Sequence, residues 1–489
     1  MGAQMGVETR DIASDRSRRW VLGVTSAGSF IVVLDMLVVA TALTTIQRDL
    51  GASIADLEWT VNAYTLSCAV LLMTASALGD RLGRRRVFGI GLGLFAAASA
   101  GCALAPNVEV LVAARAIQGA GAAAVLPLGL ALLNAAYPPE RRGWAVGIYG
   151  SVTGLSAAVG PVLGGAVTQG IAWQWIFWVN VPIAVAAITV LFARVPESRG
   201  PRVALDVPGL LLVTAAAFGL VWGLVRANTA GWGSAETVTS LAGGLVATGA
   251  FAAWERRASV PMLAPRLFRS RAFSASAVAT FMLNGALVGS VFFAAQYFQV
   301  ADGKGPLAAG LRLLPWGIAP LIVAPRAGAL SDRIGVRPLM VTGLAVQAIG
   351  LAWLAAAAGP GTGYAALVGP MAVAGVGFSM AIPAITTSIV AAAPRSEVGK
   401  ASATYGMMRQ LGGAFGVAIL AAVFARTGGY GSATSFADGF AVAMVCGAVL
   451  AAAGALACLA VPTIRATSAT TTARAAEPAM VAQRARVKG

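Results

Sequence analysis

The sequence predicts an all-α integral membrane protein of about fourteen spans, and three observations carry that prediction. Apolar segments long enough to cross a hydrocarbon core of ~30 Å at ~1.5 Å per helical residue recur along nearly the whole chain. Only 11% of the 489 residues are charged, against 58% hydrophobic, and the mean hydropathy is +0.79. The basic residues, finally, fall almost wholly in alternate loops. A soluble chain of this size could not hide that much apolar surface, so its solvent is lipid. The alternating strands of about ten residues that mark a membrane barrel are absent, which leaves helices.

The first apolar segment, 20–43, follows Arg16, Arg18 and Arg19 in the manner of a signal peptide's charged leader. It is too long for one and lacks a small-residue exit site, so it reads as an uncleaved first span. Six more spans follow at 59–78, 87–105, 111–136, 144–168, 175–193 and 207–225. The remaining seven are expected at 237–254, 273–298, 306–330, 338–357, 364–390, 401–425 and 440–461. With the N-terminus inside, 28 of the 35 Lys and Arg lie in inner segments, and outside stand Arg48, Arg226, Lys304, Arg312 and Arg426. Arg115 and Arg409 are read as lying within spans. Because retained loops are enriched in bases, this asymmetry predicts an even number of spans with both termini cytoplasmic.

Ser76-Ala-Leu-Gly-Asp80-Arg81-Leu-Gly83-Arg84-Arg85 after span 2 is echoed after span 10 by Gly328-Ala-Leu-Ser-Asp332-Arg333-Ile-Gly335-Val-Arg337. The repeat predicts two six-helix bundles, 20–200 and 259–462, with an inserted two-helix linker at 201–258. A cytoplasmic segment 1–19 precedes them, and a tail 463–489, rich in Ala, Thr and Arg, is expected to be disordered. Parallel halves of this kind suggest alternating access around a site near the midplane between them.

A formal charge of +16 would raise the question of nucleic acid, but its bases form no continuous phosphate-binding stripe. Cys68, Cys102, Cys446 and Cys458 lie inside apolar segments with no CxxC pair, and read as small buried side chains with no disulfide. Histidine is absent, which removes the commonest transition-metal ligand and the usual neutral-pH proton carrier. No metal or cofactor is expected, and any proton chemistry must run on carboxylates. An integral-membrane enzyme would need acids, His or Cys clustered near one interface, and none is visible, so no enzymatic activity is expected.

Among nineteen acids, Asp35 stands apart because it lies about fifteen residues into span 1, in the outer half of the membrane. A carboxylate there is costly unless protonated, paired or wet. Two readings stand: an ion pair that locks two helices, or a group that titrates during transport. Arg115, a few residues into span 4 from the outer side, is its partner by depth, and making and breaking that pair would change the carboxylate's proton affinity. Arg409, about nine residues into span 13, either snorkels to the inner interface or meets backbone carbonyls or an anionic group.

Polar and aromatic side chains in mid-span, Asn62, Tyr64, Gln118, Asn284, Gln296 and Trp316, are candidates to line a substrate cavity, as is Arg409. Each is as well read as a helix-helix hydrogen bond or an interfacial anchor. Gly154, Gly160-Pro161 and Gly164-Gly165 predict close packing with a pliable kink in span 5, and Pro315, Pro320 and Pro325 predict distortion of span 10. The Asp80-Arg81-x-Gly83-Arg84-Arg85 turn reads either as a positive-inside anchor or as an inner gate latch, with Asp332, Arg333 and Gly335 as its echo.

In order along the chain these residues resemble the fourteen-span drug:proton antiporter branch of the major facilitator superfamily, and the likeness covers nearly the whole sequence. The Asp80 to Arg85 turn is similar to the superfamily's loop signature, with Ser76 at its usual first glycine. Arg115-Ala-Ile-Gln118-Gly119-Ala-Gly121 resembles the span 4 motif whose arginine is associated with proton coupling. Gly160-Pro161-Val-Leu-Gly164-Gly165 resembles the exporter motif of span 5, with Ser156 at its leading glycine. Trp173-Gln-Trp175-Ile-Phe177-Trp-Val-Asn180-Val-Pro182 is similar to the branch's span 6 entry. Leu34-Asp35 followed by Ala42-Leu43 resembles its span 1 motif, although Leu37, Ala40 and Thr44 replace the expected Thr, Asn and Pro.

The resemblance implies the major facilitator fold in a bacterial cytoplasmic membrane. It also implies export of hydrophobic or amphiphilic drugs, driven by protons, with Asp35 and Arg115 coupling. An exporter of one self-made metabolite, such as an antibiotic or siderophore, is the alternative; a passive channel is a third reading. Partners are then a lipophilic small molecule, protons and the bilayer, with the chain itself expected to be a monomer.

Overall fold

A computed structural model describes residues 15–200, 204–394 and 397–462, and these are helical throughout apart from short connections. The first bundle comprises α1 (Asp15–Leu50), α2 (Ile54–Leu82), α3 (Arg84–Ala103), α4 (Val108–Ala136), α5 (Pro139–Gly170), α6 (Trp175–Trp178) and α7 (Asn180–Arg194). An inserted pair follows, α8 (Val207–Ala230) and α9 (Ala235–Arg257). The second bundle comprises α10 (Arg271–Val300), α11 (Pro306–Arg312), α12 (Leu314–Ile334), α13 (Val336–Ala357), α14 (Tyr364–Ala391), α15 (Val398–Thr427) and α16 (Ala433–Cys458). Among the described residues 14 segments are long and apolar enough to cross a membrane, α6 with α7 and α11 with α12 each making one. The tail 463–489, residues 1–14 and the side chain of Asp332, on which expectations were also placed, lie outside the described residues.

Several helices begin or end beyond their apolar stretches, because polar caps satisfy the terminal amides that lipid cannot. Ser53 and Asp56 form a reciprocal capping box at the start of α2, and Asn107, Ser234, Ser270 and Ser432 cap α4, α9, α10 and α16. Starting α2 at Ile54 rather than at 59 brings Glu58 inside the helix. The sixth span is broken between α6 and α7, where Pro182 cannot donate to the preceding turn. The tenth is broken between α11 and α12 just before Pro315, while Pro320 and Pro325 are carried inside α12. Arg326, which the loop tally places with the inner segments, is within α12 and donates to the Ile322 carbonyl at 2.6 Å.

The inserted pair covers one of the two seams between the bundles. Val213, Ala217, Val221 and Val225 of α8 pack on α2 and α15, where Leu66, Ala69, Val70 and Met73 meet Met407, Leu411, Ala414 and Ala418. Trp59 of α2 lies 5.6 Å from Phe218 and 5.4 Å from Trp222, ring to ring. α9 packs on α8 through Gly244, where an added Cβ would fall 2.7 Å from the Leu220 amide nitrogen. Its outward side chains, Leu245 and Val246 among them, are exposed as lipid-facing residues are.

On the other seam α5 meets α11 and α12, and the contact is confined to one end. A Cβ at Gly165 would collide with the Pro306 carbonyl, one at Gly310 with the Pro161 carbonyl, and one at Gly317 would lie 2.6 Å from the Ala157 oxygen. At the same end Thr44 donates to Gln299, whose amide donates to the Thr41 carbonyl at 3.2 Å, and Gln169 accepts from the Leu307 amide at 3.1 Å. Toward the end that carries the described termini, Gly143, Gly147 and Gly150 of α5 face open space. The bundles are therefore closed together at the end away from the termini and parted along α5 at the other.

Candidate functional site: a buried ion pair and the inter-bundle cavity

Five segments of the first bundle converge on Asp35. Its Oδ2 forms an ion pair with Arg115 Nη1, and both side chains are sealed, at 0% and 1% exposure. Its Oδ1 accepts from Gln118 Nε2 at 2.9 Å and from Asn180 Nδ2 at 2.8 Å. Both amides also donate to Ser99 Oγ, at 3.1 and 3.0 Å, and Ser99 donates to the Phe177 carbonyl at 2.9 Å. Arg115 further donates from Nε to the Thr60 carbonyl at 3.0 Å and from Nη1 to Gln118 Oε1 at 2.7 Å, and its guanidinium lies 4.3 Å above the Tyr64 ring. Tyr64 is fixed in turn by a 2.9 Å bond to the Val32 carbonyl.

Helical geometry explains the placement. Arg115 and Gln118 are three residues apart on α4 and so share one face. Asn180 reaches Asp35 because it stands at the break between α6 and α7. Charges with this many donors satisfied are tolerated in an apolar interior, where a lone one would not be. Asn180 and Ser99 were not singled out from sequence. The signal for Asn180 was its place in the Trp173 to Pro182 segment, while Ser99 is one small hydroxyl among many.

The candidate cavity residues differ in their surroundings. Tyr64 and Gln118 belong to the ion-pair network, Gln118 through both of its amide atoms and Tyr64 through its ring, while the Tyr64 hydroxyl is taken up by the Val32 carbonyl. Asn284 donates to the Thr280 carbonyl of its own helix at 2.8 Å, a helix-internal bond. Gln296 donates to the Phe292 carbonyl at 3.0 Å and accepts from Tyr430. Asn62 and Trp316 are buried with no hydrogen-bond partner for their side-chain polar atoms among the described residues. Arg409 is partly exposed on α15, and its charge acts on Tyr64 and Cys68 of α2 and on Tyr149 of α5.

A second interior carboxylate escaped the sequence reading. Glu58, one turn into α2, is 1% exposed and lies near Tyr430, in the connection between α15 and α16. Burial first, and this carboxylate second, push the Tyr430 hydroxyl above its ordinary pKa, so it keeps its proton and donates it to Gln296. Glu58 and this Tyr–Gln pair face each other across the two bundles.

The turn after α2 is tied within its own bundle. Asp80 bonds Arg84 Nε at 2.8 Å, the Glu197 carboxylate accepts from the Arg85 and Arg86 amides at 2.8 and 3.3 Å, and Arg85 Nη1 donates to the Val195 carbonyl at 2.9 Å. The described contacts thus clasp the segment after α7, while Arg81 and, in the echoing turn, Arg333 are exposed. Gly83 has φ 117°, and a Cβ there would lie 2.6 Å from the Glu197 carboxyl carbon; Gly335 has φ 88°. Gly83→Ala is therefore expected to cost about 1–3 kcal/mol in backbone strain and a displaced clasp. Thermal unfolding in detergent reads it, and an unchanged midpoint would deny the clasp any structural weight.

In the span 5 segment Gly160 and Gly164 turn toward α1. A Cβ on Gly160 would lie 2.9 Å from Leu37, and one on Gly164 2.8 Å from Val38 Cγ2. Pro161 and Gly165 turn the other way, toward α11. One helix thereby links the Asp35 helix to the second bundle.

A family model described as Major Facilitator Superfamily matches residues 25–310 and 304–488. The tetracenomycin C resistance and export protein of Streptomyces glaucescens is 34% identical over 426 residues, spanning 86% of this chain and 78% of that one. The multidrug resistance protein Stp of Mycobacterium tuberculosis is 34% identical over 413 residues, 84% of this chain and 76% of that one. The crystal structure of a D-xylose-proton symporter superposes with a TM-score of 0.65 over 92% of this chain and 99% of that one, at 17% identity, a likeness of fold.

Proposed function

The chain belongs to the Major Facilitator Superfamily, and on that premise we propose that it exports hydrophobic or amphiphilic drug-like molecules and antibiotics across the cytoplasmic membrane in exchange for protons. A chain of this family is a transporter and not an enzyme. The excess of bases in alternate loops supports an orientation with both termini in the cytoplasm.

The observation that carries the proton coupling is the sealed Asp35–Arg115 pair. Protonation of Asp35 would dissolve the pair while leaving Arg115 held by Thr60 and Gln118; re-forming it would expel the proton. Leu37, Val38 and Thr41, the next turns of α1, are the residues on which Gly160 and Gly164 of α5 sit. A shift of α1 at Asp35 therefore bears on the contacts that close the bundles together. The drive is adequate, at about 2.3 kcal/mol per charge for 100 mV and about 1.4 kcal/mol per pH unit.

The test is proton release from the purified protein on adding a panel of lipophilic cations and anions, alongside uptake into inside-out vesicles, which reads efflux. Native protein is expected to release protons and Asp35→Asn is not, and efflux should collapse with the proton gradient. Equal release from both would move coupling to another acid, and efflux indifferent to the gradient would remove the antiport reading. A second reading, export of a single metabolite, is favoured by the relative whose name couples resistance and export of one antibiotic. Resistance to many unrelated compounds on expression would set it aside.

A further inference from the structure

We propose that the cavity between the bundles takes amphiphiles bearing an anionic group, with Arg409 as the anchor for that group; the inference rests on the transport reading and names its substrate class. Arg409 lies eleven residues into α15, about 16 Å from its start and about 27 Å from its end at Thr427, so it sits within the span, nearer the helix's start. Among the described residues it donates no hydrogen bond and forms no salt bridge, although a guanidinium at this depth is costly without a counter-charge or water. Neither of the two interior carboxylates named above is its counter-charge. Asp35 is enclosed with Arg115, and Glu58 lies at the closed end beside Tyr430.

Its surroundings complete the argument. Across the seam its charge acts on Tyr64 and Cys68 of α2 and on Tyr149 of α5, whose hydroxyl is held within the first bundle by Ser29 and the Leu126 carbonyl. On the same stretch of α5, Gly147 and Gly150 face open space. Partly exposed and within electrostatic reach of the first bundle, Arg409 is placed between the bundles. The margin of the packed seam beside it, where Met408 is only partly buried, supplies an apolar and adaptable wall. A flat fork of donors beside such a wall fits an apolar body carrying a carboxylate, sulfonate or ionised phenol, and repels a cation.

Two xanthene dyes of similar shape and opposite charge test this in detergent, with no gradient present: 2′,7′-dichlorofluorescein, an anion, and rhodamine 6G, a cation. Fluorescence polarisation should show the native protein binding the anion at least tenfold more tightly than the cation. Arg409→Gln should lose at least tenfold for the anion and nothing for the cation, and Arg409→Lys should keep most of the anion affinity, which separates lost charge from lost folding. The proposal is overturned if the native protein prefers rhodamine 6G, binds no dichlorofluorescein, or keeps its anion affinity in Arg409→Gln. It is also overturned if dioleoyl phosphatidylglycerol displaces the dye as effectively as unlabelled anion does, since the seat would then hold a lipid headgroup. Dye affinity is read without flux or proton release, so the Arg409 result can fail while Asp35-dependent proton release stands, and the reverse.

Discussion

Arg115→Ala is expected to cost about 3–5 kcal/mol of stability and to abolish gradient-driven flux, whereas the double variant Asp35→Asn with Arg115→Gln should recover most of the stability and none of the flux. The first half follows from burial. With Arg115 gone, Asp35 keeps its amide donors Gln118 and Asn180 but loses its only described cation, in a place from which water is excluded. The double variant removes both charges while keeping amides of similar size in reach of Ser99, Thr60 and Gln118, and replacing a buried pair by neutral groups is often tolerated. Thermal unfolding in detergent reads the stability, and uptake into inside-out vesicles reads the flux. Since a pair that merely locks α1 to α4 would be replaced in function as well as in stability, normal flux in the double variant would sink proton carriage by Asp35.

Gly310→Ala should hold the bundles apart at the end away from the termini and reduce transport to the background, with folding retained. The added methyl has no room, because it meets the Pro161 carbonyl, which is backbone and cannot rotate aside. Thr44 and Gln299, hydrogen-bonded across the same closure, supply the reporter. A Thr44→Cys, Gln299→Cys pair should cross-link readily in the otherwise native chain and at least tenfold less when Gly310→Ala is added. Unimpaired cross-linking would mean that α11 can slide past α5, and that the closure does not depend on the glycine contact.

Much of this architecture was written in one dimension. Span number follows from hydropathy and length, because a helix in lipid must satisfy its own backbone and cover itself in apolar side chains. The pairing of Asp35 with Arg115 was legible because charges are so scarce at that depth that few partners exist. The close approach at Gly160 and Gly164 was legible from side-chain size alone. Other features were not. Glu58 looked like a helix-end residue until the Ser53–Asp56 cap moved the start of α2 outward, and its neighbour Tyr430 lies hundreds of residues away in the chain.

Gln118 and Tyr64 carried the polarity expected of a cavity wall, yet they serve the ion pair, since which face of α2 and α4 turns inward is set by how five segments pack around Asp35. The seat of α8 against α2 and α15 is likewise invisible in a segment that is apolar all round. The sequence by itself determined how many times the chain crosses the membrane, that it is built of two related halves, and which charges must be explained. Only the tertiary structure decided which of those charges is enclosed, as Asp35 and Arg115 are, and which, as Arg409 is, stays partly exposed. The reason is that residue type sets the cost of burying a charge, whereas the neighbour that offsets the cost comes from a distant part of the chain.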